Sequence, residues 1–373
     1  MIIGKQRNTK AIIDLDAIKV NVKNEIKQLN KDQSLFAVVK ANAYGHGLVE
    51  VALAAKKAGA KGFCVAIIDE GICLREAGLT EEILVLGVNP AKQVLCLAQN
   101  NLACSVGDYE FLQQSQLLLK EANQKLSVHL ALDTGMGRIG FRTKAQLKQA
   151  LDFILAHPTE YDFAGIFTHF ASADSLDDTY YQKQLAKFNE LLSVVDTKPR
   201  YIHVANSASA LWHKDCGGNM VRYGIAMYGL NPNNKKTVAF ELQAALSLVS
   251  ELVAVKKVKQ GDAISYSGTY VAKNDEWIGT LPIGYADGWL RRMQGFKVLV
   301  DGKFCEIVGR ICMDQMMIRL PKKYPLETKV TLIGQDQTQK ITVQDVADYA
   351  QTIPYEITCN LATRIDRKYI SKA

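Results

Sequence analysis

Lys40 is the residue best placed for covalent chemistry, because it directly follows an apolar run at residues 36–39. A lysine at the end of a buried strand is partly desolvated, and desolvation lowers the pKa of its amine. An amine with a lowered pKa is a good nucleophile toward an aldehyde. The alternative is a lysine that merely ends a strand and reaches solvent, which is the commoner case for one lysine taken alone. Other residues of the sequence are therefore needed to distinguish a nucleophilic lysine from a solvent-exposed one.

Other polar residues follow short apolar, β-branched runs in the same position as Lys40. Eight such runs predict strands at residues 35–39, 63–66, 83–86, 102–105, 127–132, 163–168, 201–204 and 220–222. The polar and glycine residues just past these strands are Lys40, Asn42, Tyr44, Gly45, His46, Asp133, Arg138, His169, Asn206, Ser207, Arg222 and Gly224. Active groups of parallel barrels gather at the carboxyl ends of the strands, so we expect these residues to share one rim.

Amphipathic helical stretches lie between most of these strands, at residues 16–30, 46–58, 108–122, 143–156 and 178–195. Asp16 is the expected N-cap of the first helix. The alternation predicts an α/β fold with a closed, parallel (β/α)8 barrel of the TIM type. An open doubly wound sheet is the competing architecture, and the count of eight strands favours the barrel.

The pattern changes near residue 238. Beyond it, strands are predicted at residues 246–258, 277–282, 297–300, 303–311, 316–320 and 329–333, and a helix only at 342–352. We therefore expect a (β/α)8 barrel domain at residues 10–238, followed by a mainly β domain at 239–373. The N-terminal strand at residues 1–15 could belong to the second domain.

Small residues and glycines occur in two regions where the backbone could approach a phosphate or a dinucleotide. The loops after the seventh and eighth strands contain Asn206, Ser207, Gly224 and Ile225, and small residues let backbone N–H groups approach an anion closely. Ordinary helix capping by Asn206 or Ser207 is an equally good interpretation. Residues 135–140 match the pattern G-x-G-x-x-G, but the next predicted helix starts only after the third glycine, so we reject a dinucleotide site there.

Composition excludes several classes of function. The net charge is +7, from 45 basic minus 38 acidic residues, but the lysines are scattered, which argues against nucleic acid. The eight cysteines include no C-x-x-C pair, and no His or Cys cluster has metal-ligand spacing. The chain shows no signal peptide and no apolar run of the ~18 residues that span a bilayer. We therefore expect a cytoplasmic protein that binds no metal and no membrane.

The order of several short motifs resembles that of bacterial alanine racemases, which use pyridoxal 5'-phosphate. The motif around the cofactor lysine, A-V-V-K-A-N-A-Y-G-H-G at residues 37–47, is the most specific of them. The others lie at residues 133–138, 168–170, 203–207, 222–229, 265–266, 284–288 and 309–314, and at Tyr355.

This resemblance implies a homodimer with shared active sites, in which Lys40 holds pyridoxal phosphate as a Schiff base. Tyr266 and Met313 would come from the partner subunit. The residues implied to bind the cofactor are Lys40, Tyr44, His169, Asn206, Ser207, Arg222, Gly224, Ile225 and Tyr355. Those implied to bind the substrate or line its access path are Arg138, Met313, Tyr285 and Asp314.

The implied reaction interconverts L-alanine and D-alanine and supplies D-alanine for peptidoglycan. Racemisation needs acid/base groups on both faces of the cofactor, a role for Lys40 and Tyr266 if each pKa is lowered from about 10 toward neutrality. His169 would couple Tyr266 to Arg222. An arginine, with a pKa above about 12, does not protonate the pyridine nitrogen that it faces.

Ala131 departs from the family pattern. Many relatives have a carbamylated lysine there, which orients the arginine that corresponds to Arg138. A buried arginine without a partner costs about 3–5 kcal/mol, so we expect an anion, most simply chloride, to replace the carbamate beside Arg138.

Three alternatives remain at this stage: an amino-acid decarboxylase, a racemase of serine or of broad specificity, and a non-catalytic carrier of pyridoxal phosphate. The usual decarboxylase cysteine motif is missing, and the β domain with Tyr266 argues against a carrier.

Overall fold

A computed structural model describes residues 2–213 and 217–371. Their contacts form two compact units, and the chain passes between them more than once. One unit contains Ala17–Ala43 and Leu48–Gln243. The other contains the chain up to Asp16, the short segment Tyr44–Gly47 and the chain from Ala244 onward. The predicted domain boundary at residue 238 stays a prediction, and the contacts divide the chain slightly later.

After β1 (Lys10–Asp14), the next eight strands form one parallel sheet with the order β8-β7-β6-β5-β4-β3-β2-β9. They are β2 (Ser34–Val38), β3 (Gly62–Val65), β4 (Glu82–Val85), β5 (Ala103–Val106), β6 (Leu126–Ala131), β7 (Tyr161–Phe167), β8 (Tyr201–His203) and β9 (Met220–Tyr223). Asn219 N–H donates to Ile202 O and Arg222 N–H to Ala205 O, which joins the two edge strands. The predicted (β/α)8 barrel is confirmed.

One helix precedes the first barrel strand and others follow the strands β2 to β8, and they cover the sheet with apolar faces. They are Leu15–Ile26, Leu48–Ala58, Ile68–Glu76, Val94–Gln99, Tyr109–Glu121, Lys144–Ala156, Thr179–Leu192 and Ser207–Trp212. Asp108 and Thr143 cap two of them by accepting the N–H groups of Phe111 and Gln146. The prediction that Asp16 caps the first helix was wrong, because the Asp14 carboxylate accepts the Asp16 N–H and the helix starts at Leu15.

The other unit is mainly β, as predicted. Its largest sheet has the order β16-β15-β18-β10-β1-β20, with β19 paired to β18, and two smaller sheets are β11-β14-β17 and β12-β13. The strands are β10 (Leu246–Glu251), β11 (Ala254–Val258), β12 (Ala263–Ile264), β13 (Tyr270–Val271), β14 (Glu276–Leu281), β15 (Lys297–Val300), β16 (Lys303–Glu306), β17 (Met316–Leu320), β18 (Lys329–Asp336), β19 (Gln339–Ile341) and β20 (Asp366–Ile370). Strand β1 joins this unit, antiparallel to β10 and parallel to β20.

Two predictions for this unit were wrong. Residues 246–258 form two strands, because Leu252 bonds to Thr328 and Val253 to Thr280, so the chain changes sheets there. Besides the helix Val343–Tyr349, a second helix spans Pro354–Cys359, with the proline in its first turn. No helix within the described ranges is long and apolar enough to cross a membrane.

Candidate active site

The backbone immediately after Lys40 is left-handed. Ala41, Asn42 and Ala43 have φ near 53° and ψ between 47° and 53°, a conformation that costs roughly 1–2 kcal/mol for each non-glycine residue. Two side-chain contacts stabilise it. The Ala41 N–H donates to Glu70 Oε1 at 2.6 Å, and Asn42 Oδ1 accepts the Leu48 N–H at 2.9 Å. A strained turn that is held in this way at a strand end is typical of a functional site.

Lys40 lines a cavity of about 350 Å³ at the carboxyl end of the barrel, together with Arg138, His169 and Arg222. Burial lowers the pKa of the Lys40 amine, and the positive charge of Arg138 lowers it further. The structure thus brings together four of the predicted residues and gives Lys40 the lowered pKa that a nucleophilic amine needs. Ala131 lines the same cavity.

Arg222 is only 3% exposed and donates five hydrogen bonds. Its Nη1 donates to His203 Nδ1 at 2.6 Å and to His203 O at 3.1 Å. Its Nη2 donates to Thr168 O at 2.9 Å, His169 Nδ1 at 3.3 Å and Val204 O at 3.2 Å. The guanidinium also lies 5.5 Å from the centre of the Phe167 ring. These contacts compensate for the burial of the charge and fix the plane of the group.

Both histidines that accept from Arg222 are neutral. Burial lowers the pKa of His169 and of His203 well below the usual value, and the charge of Arg222 lowers both further. A neutral imidazole has one nitrogen without a proton, which is the atom that an arginine needs as acceptor. No role was predicted for His203 from the sequence, and the structure places it against Arg222.

Ser207 and Gly224 also lie together. Ser207 is buried at the start of its helix, and its Oγ accepts the N–H groups of Gly224 at 2.9 Å and Ala226 at 3.4 Å. The Asn206 side chain caps the same helix by accepting the Ser209 N–H. Ile225 begins the short 3-10 turn that follows Gly224. The predicted capping and the predicted clustering of small residues therefore occur at the same place.

Arg138 corrects one expectation. A buried Arg138 was expected from the sequence, but its side chain is exposed at the cavity edge. It makes no hydrogen bond or ion pair within residues 2–213 and 217–371. Its loop returns to the strand end through the bridge between Leu132 and Phe141, and the next helix starts only at Lys144. Solvent therefore stabilises its charge, and the desolvation penalty does not apply in this chain.

The remaining candidates belong to the mainly β unit. Tyr266, Met313 and Tyr285 are 66%, 53% and 42% exposed. The flanks of Tyr266 are strained, with φ of 66° at Ser265 and 62° at Ser267. The loops of Tyr285 and Met313 are joined by the bonds Tyr285 N–H to Cys312 O and Ala286 N–H to Met313 O.

Three further residues of this unit were predicted to have roles. Asp314, next to Met313, pairs with Arg364 at 2.8 Å. The rings of Tyr44 and Tyr355 lie 6.0 Å apart. Tyr355 lies on the helix Pro354–Cys359, which was not predicted from the sequence.

Comparisons with known proteins match both parts of the chain to one family. The family model described as alanine racemase, N-terminal domain, matches residues 13–232, and the C-terminal domain model matches residues 245–369. The alanine racemase of Ligilactobacillus salivarius is 61% identical over 370 residues, which cover 99% of this chain and 100% of that protein.

Solved structures of racemases have the same fold over nearly the whole chain. The alanine racemase of E. faecalis is 51% identical with a TM-score of 0.96, over 99% of this chain and 100% of the other. A histidine racemase from Leuconostoc mesenteroides subsp. sake is 33% identical with a TM-score of 0.95, over 100% of both chains.

Proposed function

Because the chain belongs to the alanine racemase family, we propose that it interconverts L-alanine and D-alanine with pyridoxal phosphate bound at Lys40. The D-alanine would serve peptidoglycan synthesis. One observation carries the proposal: the partly buried Lys40 amine, with its lowered pKa, shares a cavity with an arginine that is held by two neutral histidines.

The residues present fit pyridoxal phosphate. Lys40 supplies the amine, and Arg222 supplies a fixed cation for the pyridine ring, with His169 beside it. Ser207 and the backbone of Gly224 and Ile225 form a small-residue cluster of the kind that accepts phosphate. Asn206, which caps the helix of Ser207, and the tyrosines Tyr44 and Tyr355 would complete the site.

Bound pyridoxal phosphate would withdraw electrons from the substrate and make its α-proton acidic. The task of Arg222 is then to limit that effect. Its guanidinium keeps its proton, so Arg222 would offer the pyridine nitrogen a donor that stays charged. A neutral His169 and a neutral His203 stabilise this state because both accept hydrogen bonds from Arg222.

Lys40 Nζ and the phenol of Tyr266 of the partner subunit would move the proton on opposite faces. Tyr266 is 66% exposed in the single chain, so its hydroxyl is accessible to a second copy. The exposed Met313 and Tyr285 and the carboxylate of Asp314 would enter the same shared site. This arrangement makes the active form a homodimer, with no role for nucleic acid.

Arg138 would bind the substrate carboxylate, and we propose that a chloride ion binds beside it. Arg138 has no carboxylate partner in the described part of the chain, and the small side chain of Ala131 lines the same cavity. Removal of chloride by exhaustive dialysis against acetate should then raise KM for alanine. An unchanged KM, with no halide density beside Arg138 in bromide-soaked crystals, would contradict a chloride site.

A racemase of broader specificity is the second candidate. The structural similarity to a histidine racemase over both full chains favours it. Rates with L-alanine, L-serine and L-histidine at equal concentration separate the two. We expect alanine to be fastest, and a higher kcat/KM for histidine or serine would replace the first candidate.

The seven described cysteines are free thiols, which is typical of a reducing compartment and supports a cytoplasmic location.

Spectroscopy and racemisation on one sample test the proposal. Purified protein should absorb visible light, lose that absorbance on borohydride reduction and convert L-alanine to D-alanine, detected with a D-amino-acid oxidase. Lys40→Ala should abolish both properties, whereas the exposed Lys57→Ala should change neither. Normal racemisation by Lys40→Ala would refute the role of Lys40.

A further inference from the structure

A line of polar side chains leads from Arg222 through the barrel interior to Glu82. Arg222 donates to His203 Nδ1 at 2.6 Å, and His203 Nε2 lies 2.9 Å from His129 Nδ1. His129 Nε2 lies 3.5 Å from Glu82 Oε1, too far for a well-formed hydrogen bond, and neither atom has a hydrogen-bond partner among the described residues. Both histidines are fully buried. Glu82 is the first residue of β4, so the line ends at the opposite end of the barrel from Lys40.

The sheet is shaped to hold this line. His129 on β6 and His203 on β8 lie on either side of β7, where Gly165 pairs with His129. A Cβ on Gly165 would collide with the His129 ring at Nδ1. The pairing of β6 with β7 also shifts register between Val128 and His129. A glycine and a bulge inside barrel strands mark a place where close approach is required.

The two ends of the line favour the same proton positions. Arg222 can only donate, which favours a His203 Nδ1 without a proton and a proton on His203 Nε2. His203 then donates to His129 Nδ1, which leaves the proton of His129 on Nε2, facing the carboxylate. Burial raises the pKa of Glu82, but the contacts with His129 and Arg200 outweigh it and bring the pKa below its usual value, so the carboxylate is ionised.

We propose that Glu82 and His129 are positioning residues, which fix His203 as the Nε2–H tautomer and thereby hold the Arg222 guanidinium in its catalytic orientation. The reason is the direction of the bonds. With the carboxylate removed, His129 can carry its proton on Nδ1, where it no longer accepts from His203. His203 then adopts its Nδ1–H tautomer. Its Nδ1–H group would then face the Nη1–H group of Arg222, and two hydrogen-bond donors cannot bond to each other.

The catalytic consequence rests on the proposed function, whereas the tautomer does not. A purely structural line would satisfy buried polar groups without setting the tautomer at Arg222. The two cases separate in the variants Glu82→Leu, which has no acceptor, and Glu82→Gln, which keeps one. Glu81→Leu is the matched control, because Glu81 precedes Glu82 and pairs with Lys56 at 2.5 Å, away from the line.

Solid-state 15N NMR of protein labelled at its six histidines measures the tautomers, with His203 assigned by loss of its signals in His203→Asn. We expect one Nε2–H tautomer at His203 in the wild type, Glu82→Gln and Glu81→Leu, and a mixture in Glu82→Leu. In the purified holoenzyme, Glu82→Leu should lower kcat roughly 10-fold, in the range for loss of a supporting polar contact behind a functional group. KM should stay within about 3-fold of the wild type, since the substrate contacts are not altered.

An unchanged His203 tautomer in Glu82→Leu overturns the proposal. So does a changed tautomer with wild-type kcat, or an equal loss of kcat in Glu81→Leu. If the wild type does not racemise alanine at all, the proposed function fails, but the tautomer measurement still decides whether Glu82 sets the state of His203.

Discussion

Asp287 should be one of the most sensitive carboxylates of the mainly β unit. Its side chain is fully buried, and it accepts from Arg7 Nη2 at 2.6 Å and Nη1 at 3.0 Å. It also contacts Arg364 Nε at 3.1 Å and accepts the Gly284 N–H at 3.0 Å. This cluster ties the N-terminal segment to the turn that carries Tyr285.

Asp287→Asn removes the charge but keeps the shape. Loss of one partner from a buried ion pair typically costs 3–5 kcal/mol. Arg7 keeps 18% and Arg364 39% of its side-chain exposure, so water compensates in part, and we expect about 3 kcal/mol. With an unfolding entropy of about 2.1 cal/mol/K per residue, that corresponds to roughly 4 °C in Tm for a chain of 373 residues. Because the turn also carries Tyr285, kcat/KM should fall as well.

Urea unfolding followed by circular dichroism and by tryptophan fluorescence measures the effect. Asp314→Asn is the matched control, because Asp314 contacts the same Arg364 but its side chain is 56% exposed; its loss should cost under about 1 kcal/mol. Equal midpoints for the two variants would refute the conclusion that burial, rather than the mere presence of an ion pair, gives Asp287 its importance.

Three further predictions concern the site. Arg138→Gln should raise the pKa of Lys40, since the charge of Arg138 lowers it; the pH midpoint for imine formation with an added aldehyde should then move upward, and a downward move would contradict this reasoning. Ser207→Ala should weaken pyridoxal phosphate binding about 10-fold by equilibrium dialysis, which equals about 1.4 kcal/mol, because it removes a buried hydroxyl; unchanged affinity would exclude Ser207 from the phosphate site. Tyr266→Phe should lower kcat by roughly 100-fold or more, with the exposed Tyr349→Phe as control, and wild-type turnover would leave the second face without its base.

The barrel and its rim were predictable because they depend on local patterns. Short β-branched runs that alternate with amphipathic helices specify the strands, and the strand ends then place Lys40, His169 and Arg222 near one another. The helix Pro354–Cys359 was missed because six residues give too little periodicity. The change of sheet at Leu252 was missed because residues 246–258 contain no glycine, proline, asparagine or aspartate to mark a break, and only the pairing partners distinguish the two strands.

The interior line of histidines could not be predicted in the same way. His129 lies in an apolar strand, and its partner His203 is 74 residues away in sequence, so only the closed barrel brings them together. One signal was available, since Gly165 interrupts a strand pattern and such glycines often mark close approach. The exposure of Arg138 could not be predicted from the sequence either, because it depends on how the loop at residues 135–140 returns to the strand end.

The segment Tyr44–Gly47 limits how this protein can be divided. It belongs to the mainly β unit, yet it directly follows the left-handed turn that leaves Lys40. Gly45 packs so closely against the carbonyl of Thr358 that a side chain would collide with it, and Arg367 Nε donates to Gly45 O at 3.2 Å. A chimera that exchanges the β unit with a relative at a single junction near residue 243 would therefore combine these four residues and strand β1 of one parent with the packing surface of the other. Recombination between family members should succeed where those four residues and β1 are exchanged together with the C-terminal part.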